Sequence, residues 1–274
     1  MDKLCRLLDL SRSGYYAWTV RGQSQRALNN QVLLRELVRL HERYPALGLD
    51  GLYHLLKRSF ICSRGRIHRL MKANNIHSQR KRAYKVTTNS KHSYPVAPNL
   101  LKRNFAADRP NAVWVGDITY IPTDQGWLYL AIVKDLCSKK VVGYAFSDRI
   151  DVRLATQALE MAVRREKPTE NLVFHSDRGV QYASHAYRQA LERFSIRQSM
   201  SRKGDPYDNA VAENFFCCLK CELIYLRRFS TRDEAQAAVF AYIEAFYNRL
   251  RPHSGIGWLA PADFASSFHS NSAA

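Results

Sequence analysis

Three acidic side chains stand where an acid is costly unless it is used. Asp117 lies inside the apolar run VWVGDITYI, Val113 to Ile121, where a carboxylate is unfavourable without a hydrogen-bonding or metal partner. Asp177 closes the run LVFHSD and precedes Arg178 and Gly179, at the kind of strand end where open α/β sheets place their sites. Glu213 follows GDPYDN and opens an apolar-periodic helix that Asp208 is placed to cap. Taken singly, each has a plainer reading: a turn or cap for the strand-end Asp, a solvated face for the helix Glu. If they converge, they form an oxygen set suited to hard divalent ions and phosphodiester chemistry. Lys220 lies seven residues after Glu213, so on a helix it points within about 20° of the same direction and reaches the same phosphate. Its plain reading is a surface lysine.

Other chemistry-bearing residues read as structural. Asp135 ends a strand beside Lys134 and is taken as structural, His175 either shapes the site or is a satisfied core histidine, and Asp205 and Asp208 are turn and cap residues. The six cysteines, at 5, 62, 137, 217, 218 and 221, form no disulfide framework and are expected as thiols. Cys218 and Cys221 have C-x-x-C spacing but no second pair and no nearby His, so no zinc site is expected there.

The elements that must carry these residues follow from periodicity. Leu33, Leu37 and Leu40 mark a helix from Asn30 to Tyr44; a second fits Gly51 to Arg58 with Asp50 as cap, and a third fits Arg64 to Ala73 with Ser63 as cap. The last two, joined by a tight turn, suggest a helix-turn-helix, with Ile67, Leu70 and Met71 inward and Arg64, Arg66, Arg69 and Lys72 outward toward a DNA groove. Val113 to Ile121, Trp127 to Leu136 and Lys140 to Phe146 read as an antiparallel meander. A helix capped by Asp151, the strand Leu172 to Asp177, a helix from Ser184 to Phe194 and a strand from Ile196 to Met200 follow. That order is the one expected of an RNase H-like α/β fold: a five-stranded mixed sheet flanked by helices, here preceded by a small all-α helix-turn-helix-like domain. Ala212, Phe215, Leu219 and Leu223 form the packing stripe opposite Glu213 and Lys220. A further helix begins near Thr231, with Glu234 completing a capping box, and ends at Tyr247, Asn248, Arg251 and His253.

The 274 residues carry a formal charge of +18, unevenly placed. Residues 1–110 hold 22 Lys and Arg against 6 Asp and Glu, whereas residues 111–274 hold 20 against 18. A basic front joined to a nearly neutral back fits a polyanion-binding module on a domain that keeps acids for chemistry. Solubility or a membrane-surface patch is the plainer account of such charge. No apolar run approaches the roughly 18 residues needed to span a bilayer, and the charged start MDKLCRLLDL does not read as a signal, so no membrane partner and a cytoplasmic, nucleoid-associated location are expected. The expected division is a helical basic DNA-binding domain over 1–77, a basic Pro-containing linker over 78–110, the catalytic core over 111–226 and a helical extension over 227–274.

The ordered motifs WVGDITYI at Trp114, GWLYLA at Gly126, HSDRGVQY at His175, GDPYDNAVAENFF at Gly204 and YNRLRPH at Tyr247 resemble the DDE transposases and retroviral integrases. Most closely they resemble the second-reading-frame product of the third insertion-sequence family, from about residue 4 to 264. The resemblance implies that Asp117, Asp177 and Glu213 are the catalytic and metal-holding acids, with Asp117 bridging two Mg²⁺ (or Mn²⁺) ions per site. It implies DNA contacts at Lys220, Arg178 and Arg251 beside those of Arg64, Arg66, Arg69 and Lys72, and double-stranded DNA partners: the element's terminal repeats and the target. It also implies a homo-oligomer on DNA, and an upstream reading-frame product fused to the chain or working with it. Unlike retroviral integrases, the chain has His41 and His54 followed only by Cys62, so no structural zinc is expected. Two rival readings remain at this point, a DNA-binding regulator on an inactive core and a general RNase H-type nuclease.

Overall fold

The computed structural model describes residues 1–80, 94–169, 171–202 and 210–271. The basic front is helical: α1 (Asp2–Leu7), α2 (Arg12–Val20), α3 (Gln25–Arg43), α4 (Leu49–Leu56) and α5 (Arg64–Ala73). Ser24 caps α3 by accepting the Ala27 N–H, so that helix starts five residues before the expected Asn30. Helix α4 starts at Leu49 with Gly48 before it, which puts Asp50 inside the first turn and corrects its expected cap role. Its carboxylate instead takes the Arg64 guanidinium at 2.6 Å. Helix α5 has the expected bounds and Ser63 cap, with Ile67 and Met71 buried. The segment from Lys57 to Ser63 that joins α4 to α5 is longer than a tight turn.

Next come β1 (Val113–Thr123), β2 (Gly126–Asp135), β3 (Val141–Ser147), α6 (Val152–Glu166), β4 (Val173–Ser176), α7 (Val180–Ala183), α8 (His185–Arg193) and β5 (Arg197–Met200). The five strands form one mixed sheet of order β3-β2-β1-β4-β5. Strand β1 runs antiparallel to β2 and parallel to β4, and β4 runs parallel to β5. Short turns suffice for the antiparallel pairs, whereas reaching parallel β4 from β3 requires a crossover, supplied by α6. The β1–β4 register pairs Val113 with Val173 and Val115 with His175. Carried two residues further, the same register brings Asp117 level with Asp177 at the point where the two strands stop bonding. Gly116 permits this closeness, because a Cβ there would collide with the Phe174 ring.

Both faces of the sheet are covered. Leu154, Ala155, Ala158, Leu159 and Ala162 of α6 pack with Trp114 and Phe174 on one side. The other side carries α9 (Ala210–Glu222), α10 (Arg232–Ala241) and its π-helical continuation Tyr242–Tyr247, in one apolar cluster with Leu33, Leu37, Leu52, Ile67 and Met71 of the front helices. Tyr44 stacks on Phe246 at 4.1 Å and His54 on Trp258 at 4.4 Å, tying the front helices to the C-terminal segment. The chain ends in α11 (Pro261–Asn271). No helix among the described residues is long and apolar enough to cross a membrane.

Helix α9 is oriented from two sides. Ala212, Phe215, Leu219 and Leu223 are buried as expected, and each large side chain contributes up to about 1.5–3 kcal/mol. From β2, the buried Lys134 sends its ammonium to the Val211 carbonyl in the first turn of α9, at 3.3 Å. Burial pushes the Lys134 pKa down to about 7. The unfolded chain therefore binds more protons than the fold between about pH 7 and the ordinary lysine range, and this group's contribution to stability rises with pH there. Relative to Lys134→Met, the wild-type chain is expected to gain roughly 2 kcal/mol of unfolding free energy between about pH 7 and about pH 9. Denaturant melts of both proteins at the two pH values measure it, and a constant difference would rule the assignment out.

Candidate active site

Asp117 projects from β1 where that strand has parted from β4, and its Oδ1 accepts the Ile118 N–H at 2.8 Å. Asp177 stands one residue past β4 and accepts the Gly179 N–H at 2.9 Å, which orients the carboxylate within its loop. Glu213 rides the first turn of α9 and is more exposed than the two aspartates. The three acids share one electrostatic field. Burial, then the Asp177 charge, and further the Glu213 charge hold Asp117 well above the usual carboxylate range, against the pull of the Ile118 N–H and Lys220. Burial and the Asp177 charge likewise raise Glu213. Like charges crowded into one partly dry place disfavour full ionisation. As placed, no three His, Cys, Asp or Glu side chains among the described residues are close enough to close a metal shell.

Lys220 is half-buried on α9 within the same field: burial lowers its pKa and the Asp117 charge raises it. Its ammonium lies over the Tyr120 ring, 5.1 Å from the centroid. Arg178 donates from Nε to the Ser201 carbonyl at 2.6 Å, beside Asp177. His175 is fully buried with Nδ1 at 2.8 Å from Ser199 Oγ, the satisfied core histidine of its two readings. Asp135 is buried and accepts from the Ser138 N–H and hydroxyl and from the Asn111 N–H, a structural carboxylate. Asp205 and Asp208 lie outside the described residues.

The structure redistributes the basic residues expected at DNA. Arg251 is the clear correction: its side chain is 11% exposed and forks onto the 4% exposed Glu222 at 2.7 Å, with its second contact on the Cys218 sulfur. An arginine committed to a buried carboxylate is not presented to a groove. On α5, Arg64 is engaged with Asp50, and Arg66 donates to Asn30 Oδ1 of α3 at 2.7 Å. Arg69 and Lys72 are exposed on the same helix. Sequence reasoning missed the role of Lys134 and named Asn248 only as part of a helix end. The Asn248 amide pairs with both backbone groups of Val141, at 3.0 and 2.9 Å, and closes the sheet edge against the C-terminal segment.

Residues 107–206 match a family model described as Integrase core domain, and residues 194–261 match a second model of the same description. Transposase InsF for insertion sequence IS3A, from Escherichia coli K12, is 40% identical over 267 residues, covering 95% of this chain and 92% of that one. The chain belongs to the IS3 family of insertion-sequence transposases. The Insertion element IS600 uncharacterized 31 kDa protein of Shigella sonnei is 42% identical to the transposase over 270 residues, 97% of this chain and 98% of that one. A chain of the simian T-cell lymphotropic virus intasome, solved with PP2A regulatory subunit B56 gamma, has the same fold at 17% identity, with a TM-score of 0.50 over 84% of this chain and 74% of that one. The transposase is thus a DDE polynucleotidyl transferase of DNA transposition with an RNase H-like core.

The burial of Arg251 against Glu222 has a measurable consequence. Removing one partner of a buried ion pair strands the other charge, so Arg251→Ala is expected to cost about 3–5 kcal/mol of stability in denaturant melts. Arg69→Ala is expected to stay within about 0.5 kcal/mol of wild type. Equal effects would contradict this division between structural and surface arginines.

Proposed function

We propose that the transposase cuts DNA at the ends of its insertion element and joins those ends to target DNA, with Asp117, Asp177 and Glu213 as the catalytic carboxylates. What supports this reading is the β1–β4 register, which carried two residues on sets Asp117 level with Asp177, together with Glu213 and Lys220 on α9, the helix packed against β1. In the first step a water oxygen attacks the phosphorus at the element end, and the bond to the 3′ oxygen breaks to leave a free 3′-hydroxyl. In the second step that hydroxyl attacks a target phosphate and displaces the target's 3′ oxygen, losing its proton.

The donor set suits hard divalent ions, because it consists of carboxylate oxygens whose repulsion a cation relieves. Two Mg²⁺ or Mn²⁺ held by Asp117, Asp177 and Glu213 would stabilise charge on the attacking and leaving oxygens. Lys220 holds the phosphate near the acids. Arg69 and Lys72 contact the backbone of the terminal repeat, and Arg178 supports the loop that carries Asp177. The work is done on DNA by a dimer or larger assembly, since two ends must be held together, and it takes place at the nucleoid, with the upstream reading-frame product as partner or fused segment. The functional division stays 1–77 for end binding, 78–110 as linker, 111–226 for catalysis and 227–274 as its extension.

Labelled element ends incubated with the purified chain and Mg²⁺ test the reading. Asp117→Asn, Asp177→Asn and Glu213→Gln are each expected to lower cleavage and joining by on the order of 10²–10³-fold or more while end binding persists. Binding of ends without nicking by the wild-type chain would indicate a regulator, and cleavage of RNA in hybrids without end preference would indicate a general nuclease. Arg69→Ala and Lys72→Ala are each expected to weaken binding across sequences and to reduce the slope of log affinity against log salt by about 1. An unchanged slope in either variant would remove that residue from the interface.

A further inference from the structure

We infer that Trp127 and Tyr120, with the Lys220 ammonium over the Tyr120 ring, form a stacking platform for an unpaired nucleobase of the element end, next to the phosphodiester being cut. The inference rests on the transposase reading above and assigns it a site for one nucleotide.

Trp127 is the second residue of β2, with 43% of its surface exposed. Its ring meets Tyr120 of β1 edge-on, with centroids 4.8 Å apart and planes at 80°. Lys220 lies 5.1 Å from the Tyr120 centroid, and Tyr120 stands on the strand that carries Asp117, three residues further along. The surroundings are basic: Arg227 and Arg228 are exposed on the segment after α9. Aromatic faces beside a cationic track are the means by which proteins hold unpaired nucleic acid, the base on the ring and the phosphate on the cation. Paired bases inside a duplex have their faces covered, so the ring takes a base released at an end.

The platform is held in place before any base arrives. The tip of the β1–β2 hairpin is fastened to the segment leading into α10: the Asp124 N–H donates to the Phe229 carbonyl at 3.0 Å, and Arg232 donates from Nε to the Trp127 carbonyl and from its N–H to Gln125 Oε1, both at 3.0 Å. Arg228 adds an ion pair to Asp124 at 3.0 Å, and the Thr123 hydroxyl bonds the Gly126 carbonyl at 2.6 Å. A ring on so constrained a turn gives up little freedom on binding. Trp18 is more exposed, at 70%, and α2 has ring and cation contacts of its own, with Tyr15 6.3 Å from Trp18 and Arg12 5.9 Å from the Tyr16 centroid, but no contact of α2 with the acids is seen among the described residues.

Element-end duplexes carrying 5-iodouracil at the terminal positions test the inference in the full-length chain. Irradiation is expected to crosslink the terminal base to Tyr120 or Trp127, located by mass spectrometry of the digested adduct. Trp127→Ala is expected to lose the Trp127 crosslink and to slow end cleavage by roughly 5–150-fold, the range of one base-stacking contact. A duplex end with a mismatched terminal pair should recover part of that loss, and Trp127→Phe should retain most of the wild-type rate. Melting curves of both variants confirm folding, since the ring is not part of the core. Crosslinks at other residues, or wild-type rates for Trp127→Ala on matched ends, overturn the platform while leaving the transposase reading intact. Cleavage absent from the wild-type chain while the crosslink forms at Trp127 supports the platform and counts against the catalytic assignment instead.

Discussion

Holding like charges together is the constraint around which the structure is arranged. Asp117, Asp177 and Glu213 raise one another's cost of ionisation, and nothing in their own chemistry draws them together. The fold supplies what they lack. A parallel register aligns the two aspartates, a glycine lets β4 lie against β1, and a backbone N–H steadies each of their carboxylates. The helix carrying Glu213 is fixed by a buried stripe below and by the Lys134 ammonium on its first-turn carbonyl. The energy that keeps the acids in one field is therefore hydrophobic packing and backbone hydrogen bonding several residues away from them.

The same economy governs the basic residues. The front of the chain has a large excess of Lys and Arg, yet part of it is spent on internal structure: Arg64 on Asp50, Arg66 on Asn30, and Arg80 beside Glu222 at 3.6 Å. Glu222 also takes Arg251 and the Tyr242 hydroxyl, so one carboxylate joins the end of α9, the π-helical turn and the start of the linker. A buried ion pair such as Arg251–Glu222 adds little net stability, but losing one partner strands the other charge, which ties the C-terminal segment to the end of α9. Net charge thus overstates the surface available to DNA.

Much of this was legible in the sequence, for identifiable reasons. Ser63 before a helical run marked α5, and the apolar stripe of α9 marked which way Glu213 and Lys220 face, because both signals are local. Ser11 and Ser24 cap α2 and α3 by the same local rule, each accepting an N–H three residues on. The residues misread depend on partners far along the chain. Arg251 and Glu222 are separated by 29 positions, and nothing near either reveals the pair. Lys134, next to Asp135 in the sequence, shows its role only once β2 is found covered on both faces. The closeness of Asp117 and Asp177 depends on strand register, and a shift by one residue would turn one of them to the opposite face.

The arrangement also explains why a protein with so basic a front keeps its reaction centre acidic. Phosphate groups are drawn to the positive helices over long range, but the acids repel them at short range. Lys220 offsets part of that repulsion from the same helix that brings Glu213, half-buried with its ammonium over the Tyr120 ring. One ammonium does not balance three carboxylates together with an incoming phosphodiester. Under the proposed mechanism the remaining deficit is met by the divalent ions, which makes metal binding and DNA binding mutually supportive. A site balanced in advance by more lysines would bind DNA without metal, but it would lack the hard cations that stabilise the attacking and leaving oxygens.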